Sequence, residues 1–411
     1  MIKQLQAILQ WLFMRGEALF NSAFGDRLNP LYHLGAITFF LFWIIAASGL
    51  YLYAFFETSV TGAYASVEAL SRKQWFAGGL LRSLHRYASD AMVLTMLLHL
   101  LRHFAFDRFR GFRWFSWATG VALIWGVYVA GISGYMLPWD RMAQFVIVAS
   151  FEWIDWLPGL SGTLARNVLY PESINDRFFS LLVFIHIGLP LLVLLLMFVH
   201  VQRAPKARTN PPRPIMLSLL LTLTALSLLR PALSQGGAVE LGQVVAELDL
   251  DWFYLALFPL FDRWSPGQVW ALVVGATLLL AVLPWLPPKF RRSRQGEFHL
   301  SVHPATELLS VREGETLLEA GLRQGLTLPY ACRNGACGLC LCTVLHGSVD
   351  HGHYQRGALP DELRAQGKTL LCCATPRSDV EIEVDGSAVA PRRPEGNALL
   401  RQRTGAGLAK R

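Results

Sequence analysis

The chemistry legible in this chain rests on four histidines and six cysteines. His85 and His99 stand fourteen residues apart, and so do His186 and His200, each pair in a mostly apolar stretch. Fourteen residues of α-helix advance about 21 Å and return to within roughly 40° of the starting direction. Each pair therefore lies on one helix face at two depths. Packed antiparallel, two such helices set His85 opposite His186 and His99 opposite His200, which makes two bis-imidazole sites stacked across the thickness of a bilayer. A single histidine on an apolar helix is usually a packed residue bonded to a carbonyl. Four at matched spacing are poorly explained that way, because ionisable groups at membrane depth are costly and mark functional sites.

All six cysteines fall in "LPYACRNGACGLCLCTV" (328–344) and in the adjacent pair Cys372 and Cys373. Cys332, Cys337 and Cys340 follow the pattern CxxxxCxxC, with Cys372 further on. Four thiolates are what a two-iron, two-sulfide cluster needs, and this is the plant-type spacing. Gly335, Ala336 and Gly338 suit a loop that must wrap an anion and aim N–H groups at its sulfurs. Structural zinc competes for the same residues, but it favours paired CxxC knuckles.

The elements that must hold these residues differ in kind. Of the 411 residues, 53% are hydrophobic and 16% charged, which is not the composition of one soluble globule. Stretches at 34–55, 79–101, 117–138, 178–201, 215–229 and 268–286 approach the roughly 20 apolar residues that cross a bilayer. Six spans follow, the fifth being the shortest. The opening "MIKQLQAILQWLFMRGEALF" has no small-residue cleavage site and reads as an interfacial amphipathic helix over 1–30. The net charge of +8 is a matter of placement rather than of nucleic-acid binding. Basic residues crowd 102–114, 203–213 and 289–294 and are sparse in the longer connections between. By the positive-inside rule both termini are cytoplasmic, which puts the thiols on the reducing side. From Glu297 the pattern changes to two short strands, "EFHLSVHP" and "ELLSVREG", and a helical "ETLLEAGLRQG". The basic tail, 389–411, has the composition of a disordered segment.

Gly35 and Gly49, and Gly120 and Gly134, repeat the fourteen-residue spacing on the first and third spans. They are compatible with clearance for a flat macrocycle or with plain helix packing. Arg82 and Arg102 flank the first histidine pair, where a guanidinium suits a propionate and equally suits snorkelling. With "LLRSLHRYASDAMVLTMLLHLLRHF", these glycines and "GYMLPWD" (134–140), residues 1–203 resemble the N-terminal four-helix domain of cytochrome b from quinol-oxidising complexes. That resemblance implies two b haems, the outer held by His85 and His186 and the inner by His99 and His200, with Pro190 as the family's proline after His186. Arg177 stands about a turn further from His186 than the family places its arginine.

The segment 204–290 resembles the start of the family's C-terminal half. There the outer quinol site carries Pro-Glu-Trp-Tyr, and here Leu250, Asp251, Trp252 and Phe253 stand in its place. Asp251 keeps a carboxylate of shorter reach, and an interfacial anchor built on Trp252 and Tyr254 is the competing reading. His33, His103 and Arg203 are candidates for a quinone near the inner haem, or ordinary interface residues. "GETLLEAGLRQGLTLPYACRNGACGLCLC" and "LLCCATPRSDVEIEV" resemble the ferredoxin domains of oxygenase reductases. Matching that family's spacing to Asp379 and Val380 selects Cys372 over Cys373 as fourth ligand and leaves Cys342 and Cys373 spare.

The fold expected is therefore an all-α transmembrane bundle, a di-haem core over 31–203 plus two further spans, followed by a small α+β β-grasp ferredoxin domain over 297–388. The expected function is a membrane oxidoreductase of a bacterial-type inner membrane and respiratory chain. It passes single electrons between a cytoplasmic partner, a 2Fe-2S cluster, two b haems and quinone or an outer-face acceptor. A plant-type cluster near −400 mV makes the inward direction downhill. With no dinucleotide fingerprint or flavin segment in the chain, the donor is expected to be a separate flavin-containing NAD(P)H reductase or a soluble ferredoxin. The alternative reverses the flow: quinol is oxidised at the outer face, with a high-potential partner taking one electron and the cluster feeding a cytoplasmic oxygenase or reductase. A redox sensor is a third reading. By the resemblance, the assembly is a homodimer or part of a larger complex.

Overall fold

The computed structural model describes residues 2–286 and 298–391, apart from 161, 170–173, 203, 205–206, 242, 244, 246, 305–306, 313 and 385–389. Arg203 and almost all of the basic tail lie outside the described residues. The chain divides into two compact units, Met1–Leu286 and Pro287–Arg411.

The first unit is helical. Its long helices are α1 (Ile2–Phe24), α2 (Leu34–Phe55), α3 (Leu80–Ala105), α4 (Trp114–Met136), α5 (Arg141–Asp155), α6 (Asp176–Gln202), α7 (Arg213–Leu229) and α8 (Pro266–Val282). Each apolar stretch read from the sequence overlaps one of them. Among the described residues four helical segments, Leu34–Phe55, Gly111–Met136, Asp176–Gln202 and Pro266–Trp285, are long and apolar enough to cross a membrane by themselves. The long α3 is not apolar enough, because it carries Arg82, Arg86, Asp90 and Arg102, and α7 is shorter at 17 residues. The α3 charges have partners inside the protein, so their cost is offset by pairing rather than by solvent.

The helices associate chiefly as two pairs, α2 on α3 and α4 on α6. Both pairs place a glycine-bearing helix against a histidine-bearing one. Ile37, Leu41, Ala88, Val93, Val127 and Val183 fill the core between and beside them. After α4 the chain turns sharply at Trp139, which has φ 53°, and Asp140 caps α5 by accepting from the Ala143 amide at 2.9 Å. The other oxygen of Asp140 accepts from the Gln235 amide at 2.8 Å. Val239 N–H also reaches Trp139 O at 3.1 Å. These bonds pin the connection after α7 to the end of α4, and so bring residues 249–254 to the histidine helices.

The second unit is a mixed five-stranded sheet. Strands β1 (Phe298–His303), β2 (Glu307–Val311), β3 (Leu341–His346), β4 (Lys368–Leu370) and β5 (Val380–Glu383) lie in the order β2-β1-β5-β3-β4. The pair β1–β5 is parallel, and β1–β2, β3–β5 and β3–β4 are antiparallel. Helix α9 (Leu317–Arg323) opens on a capping box of Thr316 and Glu319. Its Leu317 and Leu318 join Leu300, Leu370, Leu371 and Ile382 in a fully buried core. This is the small α+β domain expected from the sequence.

Candidate cofactor sites

In the first unit, His85 and His186 face each other with ring centroids 6.3 Å apart. Two metal–imidazole bonds of about 2 Å and two ring radii of about 1.2 Å add to nearly the same length. Second contacts orient both rings. His85 Nδ1 lies 3.0 Å from Ile45 O and 3.1 Å from Ser48 Oγ. His186 Nδ1 lies 3.0 Å from Ala130 O and 3.2 Å from Ser133 Oγ. A carbonyl at Nδ1 requires the proton there and leaves Nε2 with its lone pair free, which is the tautomer that binds a metal.

His200 Nδ1 lies 3.0 Å from Thr119 Oγ1. His99 and His200 are close enough to interact electrostatically. The His103 ring lies against that of His99, at 4.5 Å between centroids.

Every histidine of the four rests on its own glycine. A Cβ added at Gly35 would stand 3.1 Å from His99 Cε1, at Gly49 3.0 Å from His85 Cε1, at Gly120 3.4 Å from His200 Cε1, and at Gly134 2.8 Å from His186 Cε1. The glycines thus leave room for the imidazoles themselves. The sequence reading did not single out the hydroxyls beside Nδ1. Ser48, Thr119 and Ser133 each immediately precede a paired glycine, and that dipeptide was the available signal.

A cavity of about 710 Å³ surrounds His85 and His186 and is lined also by Arg82, Gly49, Gly134 and Tyr254. Arg82 is held by Ser71 Oγ at 2.5 Å and Ser234 Oγ at 3.0 Å. Arg102 instead is committed to a buried partner that the sequence reading missed, Glu17 of α1, at 2.7 and 2.8 Å. His33 is buried and bonded through Nε2 to Arg27 O at 3.0 Å, whereas Arg177 is exposed.

Asp251 accepts the Tyr135 hydroxyl at 2.7 Å and lies 3.4 Å from Arg86 Nη2. It also lines a second cavity, of about 340 Å³, with Leu250, Trp252 and Pro259. Tyr254 is seated in a notch at Gly131, where a Cβ would stand 2.0 Å from its ring. Both residues therefore face inward on the core, whereas Trp252 is exposed.

In the second unit the thiols of Cys332, Cys337, Cys340 and Cys372 form one linked group. Cys372 hydrogen-bonds to both Cys332 and Cys340, and Cys337 to Cys332. The Cys372 bond holds Cys332 down to about 4 and draws Cys340 down as well, while the same bonds push Cys372 up. The proton shared there is one that bound metal would release. Ala336 N–H donates to Cys332 Sγ at 3.4 Å, and Gly335 and Gly338 turn the loop with φ of 71° and 73°.

Among the described residues no three metal-binding side chains close on a single-ion position. Cys373 Sγ lies 3.6 Å from Cys372 Sγ and packs against Gly335, and Cys342 is buried, which raises its thiol and keeps it protonated.

The two units define a membrane electron-transfer protein, and comparison with known proteins places each of them. The profile of the cytochrome b/b6/petB family matches residues 20–205, and that of the 2Fe-2S iron-sulfur cluster binding domain matches residues 301–377. Cytochrome b6 of Mesostigma viride is 34% identical over 190 residues, 45% of this chain and 86% of that protein. Cytochrome b6 of Chlamydomonas reinhardtii is 32% identical over the same shares. A chain of a hyperthermophilic respiratory complex III shares the fold with a TM-score of 0.51 and 19% identity, over 62% of this chain and 75% of that one. The chain belongs to the cytochrome b family and carries a 2Fe-2S ferredoxin-type domain at its C-terminal side. Haem and an iron–sulfur cluster are the cofactors these domains bind.

Proposed function

We propose that this protein is a quinone-linked membrane oxidoreductase passing single electrons between a cytoplasmic redox partner, a 2Fe-2S cluster, two b haems and quinone. The observation that carries the reading is the His85–His186 pair, with centroids 6.3 Å apart and both Nδ1 atoms bonded to carbonyls. In this reading His85 and His186 hold the outer haem and His99 and His200 the inner, while Cys332, Cys337, Cys340 and Cys372 hold the cluster. These groups supply one-electron chemistry, and the protein supplies ligands, orientation and a water-poor setting.

Arg82, bonded to Ser71 and Ser234 and 3.8 Å from Glu68 Oε1, would turn a donor to a propionate at the cavity wall, while Arg102 contributes a pair with Glu17. Six spans with both termini cytoplasmic follow from the distribution of basic residues. The donor is a flavin-containing NAD(P)H reductase or a soluble ferredoxin, and the assembly is a homodimer or larger. Replacing His99 by Leu tests the assignment. The inner haem should be lost and the cluster's EPR signal kept; retention of both haems would overturn the ligand set.

A second reading is favoured by Asp251. The sequence left it between a quinol-site carboxylate and a residue of an interfacial anchor. Its bond to Tyr135 and its approach to Arg86, next in sequence to His85, support quinol oxidation at the outer face. Electrons would then leave through the haems and the cluster toward a cytoplasmic oxygenase or reductase, with a high-potential partner on the outer face. Reduction of the haems by added quinol in oxidised protein, lost in Asp251→Asn, would establish this direction.

A further inference from the structure

Arg86 serves two carboxylates, and they are not equally satisfied. Its Nε lies 3.2 Å from Asp90 Oδ2 and its Nη2 3.4 Å from Asp251 Oδ2. Asp251 is fully engaged. Oδ2 accepts from the Tyr135 hydroxyl at 2.7 Å and the Tyr254 amide at 3.0 Å, and Oδ1 from the Phe253 amide at 2.8 Å. Asp90 Oδ1, by contrast, is buried without a hydrogen-bond partner among the described residues. Asp90 sits on α3 five residues beyond His85, on an element that must cross the apolar layer in the reading above.

The charged and titratable groups around this pair lie on three elements, and Asp249 also lines both cavities, its backbone amide and carbonyl bonded to Gln235. Arg86 is on the same helix. From the connection after α7 come Asp251 and Tyr254, whose hydroxyl donates to Ser89 O at 3.3 Å. From α4 come Tyr135, with the Arg86 guanidinium 4.4 Å above its ring, and Tyr128, whose ring lies 5.8 Å from that of Tyr254. One guanidinium against two carboxylates leaves the group one negative charge in excess. Away from water such a charge favours uptake of a proton, and the acceptor with no donor is Asp90 Oδ1.

We propose that Asp90 is the proton store of the outer site. It takes the first of two hydroquinone protons from Asp251, and so frees Asp251 to accept the second. This rests on the outer-face reading of Asp251. The balance is complete: two hydroquinone O–H bonds break, and two protons pass in turn to Asp251, the first going on to Asp90. Two electrons leave singly to two one-electron acceptors, a ferric haem and a high-potential metalloprotein. Arg86 holds the two carboxylates together, and the charge it leaves uncompensated makes the first uptake favourable.

The test uses the protein with its haems oxidised, mixed in a stopped-flow spectrometer across a pH series with decylubiquinol and an oxidised soluble high-potential metalloprotein that takes the second electron. The haem spectrum and content serve as controls. Asp90→Asn should slow haem reduction by about tenfold or more and flatten its pH dependence, with Asp90→Glu restoring both. An unchanged rate and pH profile in Asp90→Asn, with Asp251→Asn impaired, overturns the store alone. Wild-type haems that quinol does not reduce, or an unaffected Asp251→Asn, overturn the outer-site reading and the store with it. A second measurement needs no variant. Infrared difference spectra of wild type labelled with ¹³C-aspartate should show an aspartic carboxyl band appearing on quinol addition, and its absence counts against the proposal.

Discussion

The surroundings of the two histidine pairs differ in how completely their charges are closed. Beside His99 and His200, Arg102 and Glu17 form a buried salt bridge, both residues less than a tenth exposed. Beside the outer pair, Arg86 is shared between Asp90 and Asp251, and a buried Asp90 oxygen has no partner among the described residues. A closed pair resists any change of protonation, since losing either charge strands the other away from water. An open group of three, by contrast, has a place for a proton. In the proposed reading the Arg102–Glu17 bridge serves structure, tying α1 to α3, and the group of Arg86, Asp90 and Asp251 serves proton exchange.

The contrast can be broken by substitution. The largest expected effect is at the ligands: His186→Leu should halve the haem content by a pyridine haemochrome assay, leaving one b-type spectrum. In the second unit, Cys372→Ser should abolish the reduced cluster's EPR signal, and Cys373→Ser should leave it. At the closed inner end, Glu17→Ala leaves a buried guanidinium unpaired and should destabilise by about 3–5 kcal/mol, read as a lowered thermal transition in detergent. At the outer end, Gly134→Ala puts a methyl 2.8 Å from His186 Cε1. It should cost about 1–3 kcal/mol and lower outer-haem occupancy more than inner. The smallest effect belongs to Ser133→Ala. It removes one of two Nδ1 contacts and should shift the outer midpoint potential by on the order of tens of millivolts without haem loss.

Much of this was legible because spacing on a helix fixes geometry. Fourteen residues of separation put His85 and His99 on one face, and the same interval in the glycines announced which helix would pack there. The CxxxxCxxC loop was equally explicit, since its glycines are required at the turns that wrap the thiols. What sequence alone left undetermined depends on contacts between distant segments. Glu17 meets Arg102 across 85 residues, and Asp251 meets Tyr135 across 116, so no local pattern marks either pair. Asp90 was passed over because, inside an apolar stretch, its meaning depends on Arg86 and on a loop delivered by Asp140. The glycines are compatible in sequence with clearance for a macrocycle or with helix packing, and their contacts with the imidazoles depend on side-chain direction, which spacing does not give.

The account stands most directly on one measurement, an anaerobic optical and EPR redox titration of the purified full-length protein. It predicts two b-type haem transitions and one 2Fe-2S transition per chain, each resolvable on one potential scale. Fewer than two haems, or no cluster signal on full reduction, would contradict it.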